Sequence, residues 1–404
     1  MRPYDIVLFG ATGFTGTLVA TYLKENANHL KWAIAGRNAQ KLEDVKRELG
    51  LDVDVRVADG LDVSSLEALV PEARVVCTTA GPFAKYGRAL ARACARHGTH
   101  YCDITGEVPF IRASIDENDD PAKESRARIV HCCGYDSIPF DLGVHMLWYH
   151  AGHDLAWAKA FAAETKGGFS GGTVASMLHL MEEAGKDRAM RRLLADPHAL
   201  DSGRGGKRDP READQLMPKY DWDLGRWTAP HVMAAINTRV VRRSASLVGY
   251  GDRFTYQEAM SFGRGPVGLA LAAAVTGALA GFVAVAQVPI LRSFLESKVL
   301  PKPGEGPSKE TRDAGYFTTR LVVRTEDGKQ FSGKVHGDSD PGYGETAKML
   351  GQSALCLAED EGVLPPRYGV LTPASAMGMT LVERLRRAGM TFSVDGVGPV
   401  SKQP

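Results

Sequence analysis

The sequence reads as an α/β protein, a Rossmann-type doubly wound parallel sheet followed by a second α+β domain. Three observations predict this. Tyr4 to Phe9 form an apolar strand that runs into the glycine-rich turn Gly10-Ala11-Thr12-Gly13-Phe14-Thr15-Gly16 and then into a helical pattern. Strand and helix patterns go on alternating as far as Cys132, as a doubly wound sheet requires. At 404 residues, with 44% hydrophobic and 24% charged, the chain is long enough for two cores.

The first element carries the chemistry. In such a turn the first glycine allows a sharp bend, the second lets backbone approach a pyrophosphate and the third lets helix pack on strand. Free N–H groups at the helix start then hold the anion. Residues 10 to 16 are therefore expected to bind a dinucleotide. The helix runs over Phe14 to Lys24, and the second strand over Lys31 to Ala35. That strand ends in Gly36-Arg37-Asn38, where an NAD-preferring site places an acid on the ribose. Arg37 offers a cation instead, which suits the 2′-phosphate of NADP(H).

A helix at Gln40 to Leu49 and a third strand at Val53 to Val57 follow. Asp59 closes that strand, either facing the adenine end of the cofactor or serving as a loop residue. Then come a helix near Ser65 to Val70, strand Arg74 to Thr79, helix Arg88 to His97, strand His100 to Cys102, helix Pro109 to Ala127 and strand Ile129 to Cys132. Six strands in this length make one dinucleotide-binding domain.

Ligands in such sheets bind beyond the carboxyl ends of the strands. Three polar turns fall there. Thr79-Ala80-Gly81-Pro82-Phe83 follows strand four, with Phe83 expected near the nicotinamide. Asp103-Ile104-Thr105-Gly106-Glu107 follows strand five, and Gly134-Tyr135-Asp136-Ser137-Ile138-Pro139 follows strand six. Singly, such residues are what turns and caps use anyway. Together on one sheet edge they point to a site. The hydroxyls of Tyr135 and Ser137 are candidate donors to a developing oxyanion, and Asp136, Asp103 and Tyr101 are candidates for orienting a proton.

Other chemistries are absent. None of the twelve tyrosines precedes a lysine by four residues, so the short-chain dehydrogenase dyad is missing. There is no HExxH, no GxSxG and no metal-ligand spacing, so no metal is expected. A net charge of +1 gives no electrostatic case for nucleic acid. The six cysteines form no CxxC pair and are expected to be reduced core thiols of a cytoplasmic protein, and no charged-then-apolar leader is seen at the N-terminus.

The second half is less regular. Ser170-Gly171-Gly172-Thr173 opens a helical pattern whose start either caps the helix or holds a second anion. Asp196 to Trp227 reads as a surface loop, Tyr316 to Val323 and Lys329 to His336 as a hairpin, Glu345 to Glu361 as a helix, and Ala374 to Ala388 as a last helix ending at Gly389. Gly265 to Leu291 holds no charged residue. Three readings stand for it: a helical hairpin buried in the protein, a membrane-surface or lipid-facing element, or a true span.

GATGFTG at 10 to 16, WAIAGR at 32 to 37, GPF with YG at 81 to 87, GTHYCDITGE at 98 to 107 and GYDSIPFDLG at 134 to 143 together resemble the saccharopine dehydrogenase-like oxidoreductases, as do SGGT at 170 to 173 and LTPASAMG at 371 to 378. Length and the SGGT block are most similar to the trans-acting enoyl reductase branch, which acts on polyketide-derived lipids. The resemblance implies an NADP-binding domain, hydride transfer to an acyl thioester or lipid-like substrate, a carrier protein or polyketide synthase as partner, and a last helix that returns to the first domain. The expected division is 1–145 for the cofactor, 146–370 for substrate and dimerisation, and 371–404 for the return, with a homodimer and a peripheral membrane contact compatible with it. The alternatives are a carbonyl or imine oxidoreductase of the saccharopine dehydrogenase type and a non-catalytic, lipid-associated NADP-binding protein.

Overall fold

The computed structural model describes residues 2–167, 171–201, 212–288 and 306–398. The first six strands are β1 (Tyr4–Phe9), β2 (Trp32–Gly36), β3 (Asp54–Val57), β4 (Ala73–Thr78), β5 (His100–Asp103) and β6 (Arg128–Val130). They are followed by β7 (Leu155–Lys166), β8 (Lys219–Asp221), β9 (Arg226–Ala229), β10 (Thr255–Ser261), β11 (Tyr316–Thr325), β12 (Gln330–Gly337), β13 (Gly369–Leu371) and β14 (Thr391–Gly398). Two seven-stranded sheets result, ordered β13-β6-β5-β4-β1-β2-β3 and β14-β12-β11-β7-β10-β9-β8. Every pairing in the first is parallel. The second is antiparallel except where β7 meets β10.

The first sheet is the expected Rossmann sheet, because its near-continuous apolar strands are covered on both faces by helices. Val7, Leu8 and Ile34 are fully buried. Order reverses between β1 and β4, and the crevice at that reversal is where such a sheet binds its ligand. Each predicted strand of this sheet is present to within one or two residues at its ends.

The Ile138–Ala151 helix leaves β6 and joins the sheets. Every residue from Ile138 to Leu147 is buried, since one side of the helix meets β11 and β12 while others meet the helices that flank the first sheet. Gly143 makes the crossing close: a Cβ there would lie 2.7 Å from Leu321 Cδ2. Asp141, on the same helix, accepts from Ser244 Oγ and from the Ala374 N–H. Burial pushes its carboxyl up to about 7.

Several features differ from expectation. The Thr346–Glu359 helix, expected in the second domain, packs on β1, β4, β5 and the Phe14–Asn26 helix, and β13 extends the first sheet beyond β6. Both carry apolar faces that only the first sheet's flank can bury. The expected 374–388 helix is divided. Pro373–Ala376 is capped by a Thr372/Ser375 box, Gly378 adopts φ +51°, and Gly378–Arg387 resumes between the Ile138–Ala151 and Thr346–Glu359 helices. Within the expected 196–227 loop, β8 and β9 form a hairpin, its turn fixed by the Leu224 N–H on Asp221 Oδ1 and by Gly225 at φ +68°. The Gly171–Lys186 helix confirms the pattern after SGGT, while Ser170 lies outside the described residues. Most plainly, the Gly265–Ala286 helix is not buried: only Gly268, Ala272 and Ala286 are covered. All six cysteines are buried and unpaired.

Candidate functional site

The crevice begins at the glycine turn. Gly10 sits at φ +90°, and a Cβ there would come within 3.0 Å of the Ala80 nitrogen, so the turns after β1 and β4 touch. A Cβ on Gly16 would lie 2.1 Å from the Gly10 carbonyl oxygen, so only glycine lets helix meet strand. A Cβ on Gly13 would be 3.6 Å from that oxygen, leaving room in the protein itself. Gly13 caps the Phe14–Asn26 helix with no side-chain bond to its first N–H groups. Ala11 is buried, Thr12 and Gly13 are exposed, and Phe14 and Thr15 are half-buried. Uncapped N–H groups beside an exposed glycine are what an anionic diphosphate requires.

Arg37 is exposed at the end of β2 and bonds to no other described residue, so its guanidinium is free for a phosphate. Asn38 is committed otherwise, its Oδ1 capping the next helix by accepting from the Lys41 N–H. Asp59 likewise accepts from the Leu61 N–H and stabilises its own turn. A second cation comes from the short helix Lys309–Asp313, which precedes β11. The Arg312 guanidinium lies 5.4 Å from the Phe14 ring centroid, and Tyr343 packs edge-on against that ring at 4.8 Å. Nothing in local sequence could have linked Arg312 to a turn three hundred residues away.

The loop after β4 is held by a carboxylate. Glu107 Oε1 accepts from the Phe83 N–H at 2.9 Å and Oε2 from the Ala84 N–H at 2.8 Å, leaving Gly81 and Pro82 exposed at the crevice. The Phe83 ring is buried and stacks on Phe110 at 6.0 Å. It supports the loop from below instead of meeting a nicotinamide.

Among the catalytic candidates the structure separates two groups. Asp103 is fully buried and saturated. Its Oδ1 accepts from the Thr105 and Cys132 N–H groups, and its Oδ2 from the Tyr101 hydroxyl at 2.9 Å and His131 Nδ1 at 2.7 Å. Tyr101 and Asp103 therefore brace the ends of β5 and β6 under the site. Burial and the Asp103 carboxylate push the Tyr101 hydroxyl far up.

The loop after β6 meets the second sheet. Tyr135 packs against Phe317, its hydroxyl pushed up by burial. Ser137 Oγ donates to Asn237 Oδ1 at 2.9 Å. Between them Asp136 keeps partial solvent exposure and bonds to no other described residue. Protein around its carboxyl pushes it up to about 6, against the opposing pull of His231.

His231 is the residue that sequence reading missed. Its Nδ1 bonds Glu258 Oε1 at 2.6 Å, and Glu258 also accepts from Asn237 Nδ2 at 2.9 Å and the Tyr256 hydroxyl at 2.9 Å. A carboxylate only accepts, so Nδ1 carries the proton and Nε2 is left without a partner among the described residues. Glu258, on β10, thus fixes the tautomer and aim of a ring that follows β9. A lone histidine after a proline gives no sequence signal of this, because its partner lies 27 residues on. Gly106, Asp136 and Met233 converge beside it: the Gly106 Cβ position is 3.7 Å from Met233 Cε and 4.0 Å from Asp136 Oδ2.

The arginines of the Ala234–Val248 helix are spent. Arg239 pairs with Asp214, Arg242 donates to the carbonyls of Glu212 and Tyr256, and Arg243 to those of Leu200 and Val370. Among the described residues no cluster of three metal-ligating side chains is present.

Comparison with known proteins agrees with this fold. Residues 6–130 match the saccharopine dehydrogenase NADP-binding domain. Two proteins of Mycobacterium tuberculosis, both assigned as trans-acting enoyl reductases and the first provisionally, are 41% and 39% identical to this chain, with 97% of each chain covered. A Mycobacterium ulcerans trans-acting enoyl reductase is 38% identical over 97% of this chain and 98% of its own. The saccharopine dehydrogenase of Saccharomyces cerevisiae superposes with a TM-score of 0.56 at 13% identity, covering 98% of this chain and all of its own, which shows the shared fold. Sheet order, glycine turn and full-length relatives coincide, and the chain belongs to the saccharopine dehydrogenase-like oxidoreductases, in the branch that holds the trans-acting enoyl reductases.

Proposed function

We propose that this protein reduces the carbon–carbon double bond of an α,β-unsaturated acyl thioester with NADPH, acting on a carrier-bound or polyketide-derived lipid precursor. The observation that carries the reading is His231, aimed by Glu258, beside the unpartnered Asp136 at the carboxyl edge of the cofactor sheet. NADPH, when bound, supplies hydride to the β-carbon.

The rest is done by this chain's residues. The uncapped N–H groups after Gly13 receive the diphosphate, and Arg37 and Arg312 are the cations placed for the 2′-phosphate and diphosphate. As hydride arrives, negative charge develops on the thioester oxygen. Protonated His231 returns a proton from Nε2 to the α-carbon, with Glu258 balancing the imidazolium at Nδ1. Of the two hydroxyls that are candidate oxyanion donors, that of Ser137 is committed to Asn237.

The arginines of the Ala234–Val248 helix weigh against an amino-acid oxidoreductase. Holding a substrate's carboxylates needs free cations, and Arg239, Arg242 and Arg243 are already paired or bonded to carbonyls. The test is NADPH consumption across enoyl thioesters of graded chain length beside ketone and imine substrates. Turnover confined to the enoyl series is expected. Turnover with imines or ketones alone, or tight NADPH binding with no turnover, would send the assignment to one of the alternatives.

A further inference from the structure

We infer that the Gly265–Ala286 helix inserts into a lipid bilayer and docks the protein on it from one side. The helix has 22 residues, and its most apolar 18-residue stretch has a mean hydropathy of 2.2 with 11% of it buried in the protein. At about 1.5 Å per residue it is roughly 33 Å long, close to the thickness of a bilayer's hydrocarbon core. Val267 is 70% exposed, Leu271 49% and Val283 38%. Its one hydroxyl, on Thr276, donates back to the Ala272 carbonyl at 2.8 Å. No polar face remains.

That last fact selects the occupant. A surface helix in water keeps a polar side, and an in-plane amphipathic helix needs one. A second copy of the chain would cover one stripe of the cylinder and leave the rest in water. Only lipid covers the whole circumference.

The base of the helix supplies a second, independent observation. Gly268 seats it against the Gly263 carbonyl, and it packs along β9. Beside that seat the β8–β9 hairpin gathers Tyr220, Trp222 and Trp227, with ring centroids 4.8 and 5.5 Å apart. Trp222 is 68% exposed, Met217 69% and Leu216 77%. Arg264 stands at the helix N-terminus, 3.8 Å from the Gly225 Cβ position in that hairpin's turn. Exposed tryptophan and arginine around the foot of an apolar helix form the girdle that sits at the headgroup level.

Topology fixes the mode. β10 precedes the helix and β11 follows it, and both pair with β7. The strands that flank the helix in the chain therefore belong to one sheet, on one face of the lipid. β9 links that face to the site, since His231 follows Ala229 by two residues.

The experiment is flotation of the full chain, purified in mild detergent and reconstituted by its removal with vesicles of phosphatidylcholine and phosphatidylglycerol. The chain is expected to float and to stay bound in molar salt. Leu271→Glu/Val283→Glu, at two exposed positions, is expected to remain at the bottom of the gradient with an unchanged thermal melt. Trp222→Phe is expected to remove most of the fluorescence quenching produced by brominated lipid. A wild-type chain that stays at the bottom, one released by salt, or one that runs as a dimer dissolved by the double substitution would each overturn the proposal.

Discussion

Gly13 and Gly16 look alike in the sequence and are glycine for different reasons. Gly16→Ala forces a Cβ to 2.1 Å from the Gly10 carbonyl and is expected to cost on the order of 3 kcal/mol, read as a lowered Tm. Gly13→Ala meets nothing closer than 3.6 Å, so its Tm should match wild type while the Kd for NADPH rises ~10-fold or more. His231 and Glu258 are likewise separable. His231→Gln is expected to lower kcat by ~10²–10⁴-fold with NADPH affinity intact. Glu258→Gln removes the acceptor that aims the ring, with an expected loss of ~10–100-fold in kcat and a shifted alkaline limb of the pH–rate profile, a change that a purely structural role would not produce. Equal loss of cofactor binding in both variants would contradict the assignment.

At the scale of elements, the Ile138–Ala151 helix holds the two sheets in register and carries a carboxyl that is costly to ionise. Burial raises Asp141 from its ordinary range to about 7. A group raised in the folded state contributes stability that is complete below its unfolded value, near pH 4, and is lost as pH rises through about 7. Asp136, raised to about 6, acts in the same direction. Stability is therefore expected to fall between about pH 4 and pH 7, and Asp141→Asn to flatten that fall by up to ~4 kcal/mol, measured as Tm against pH. A slope that survives the substitution would place the titration elsewhere. The strands β1 to β6 were legible because their apolar runs are local signals. β13 was not, because three residues gain strand character only when the edge of β6 is offered to them. The break at Gly378 was hidden by a continuous helical pattern that the Thr372 box and the φ of +51° interrupt.

Over the whole molecule, the cofactor half was readable and the site's other half was not. Gly10 to Gly16, Arg37 and the three polar turns lie close in sequence to the strands that place them. Arg312, His231 and Glu258 reach the crevice only because the second sheet packs across the Ile138–Ala151 helix, and no spacing rule connects them. Their contribution is measurable. Arg37→Ala is expected to raise the Kd for NADPH ~10-fold or more while leaving NADH binding nearly unchanged, because NADH lacks the 2′-phosphate. Arg312→Ala should weaken both cofactors, since a guanidinium over Phe14, beside the glycine turn, is assigned to the diphosphate that NADPH and NADH share. If Arg312→Ala affects only NADPH, the two roles are exchanged.

The central claim is hydride addition to an enoyl β-carbon with proton return to the α-carbon. The measurement that tests it most directly is turnover with NADPH deuterated at the transferring position in ordinary water, then location of the label in the product by mass spectrometry. Deuterium at the β-carbon with solvent hydrogen at the α-carbon is the predicted result. Deuterium on a former carbonyl or imine carbon, or none in the product, would contradict it.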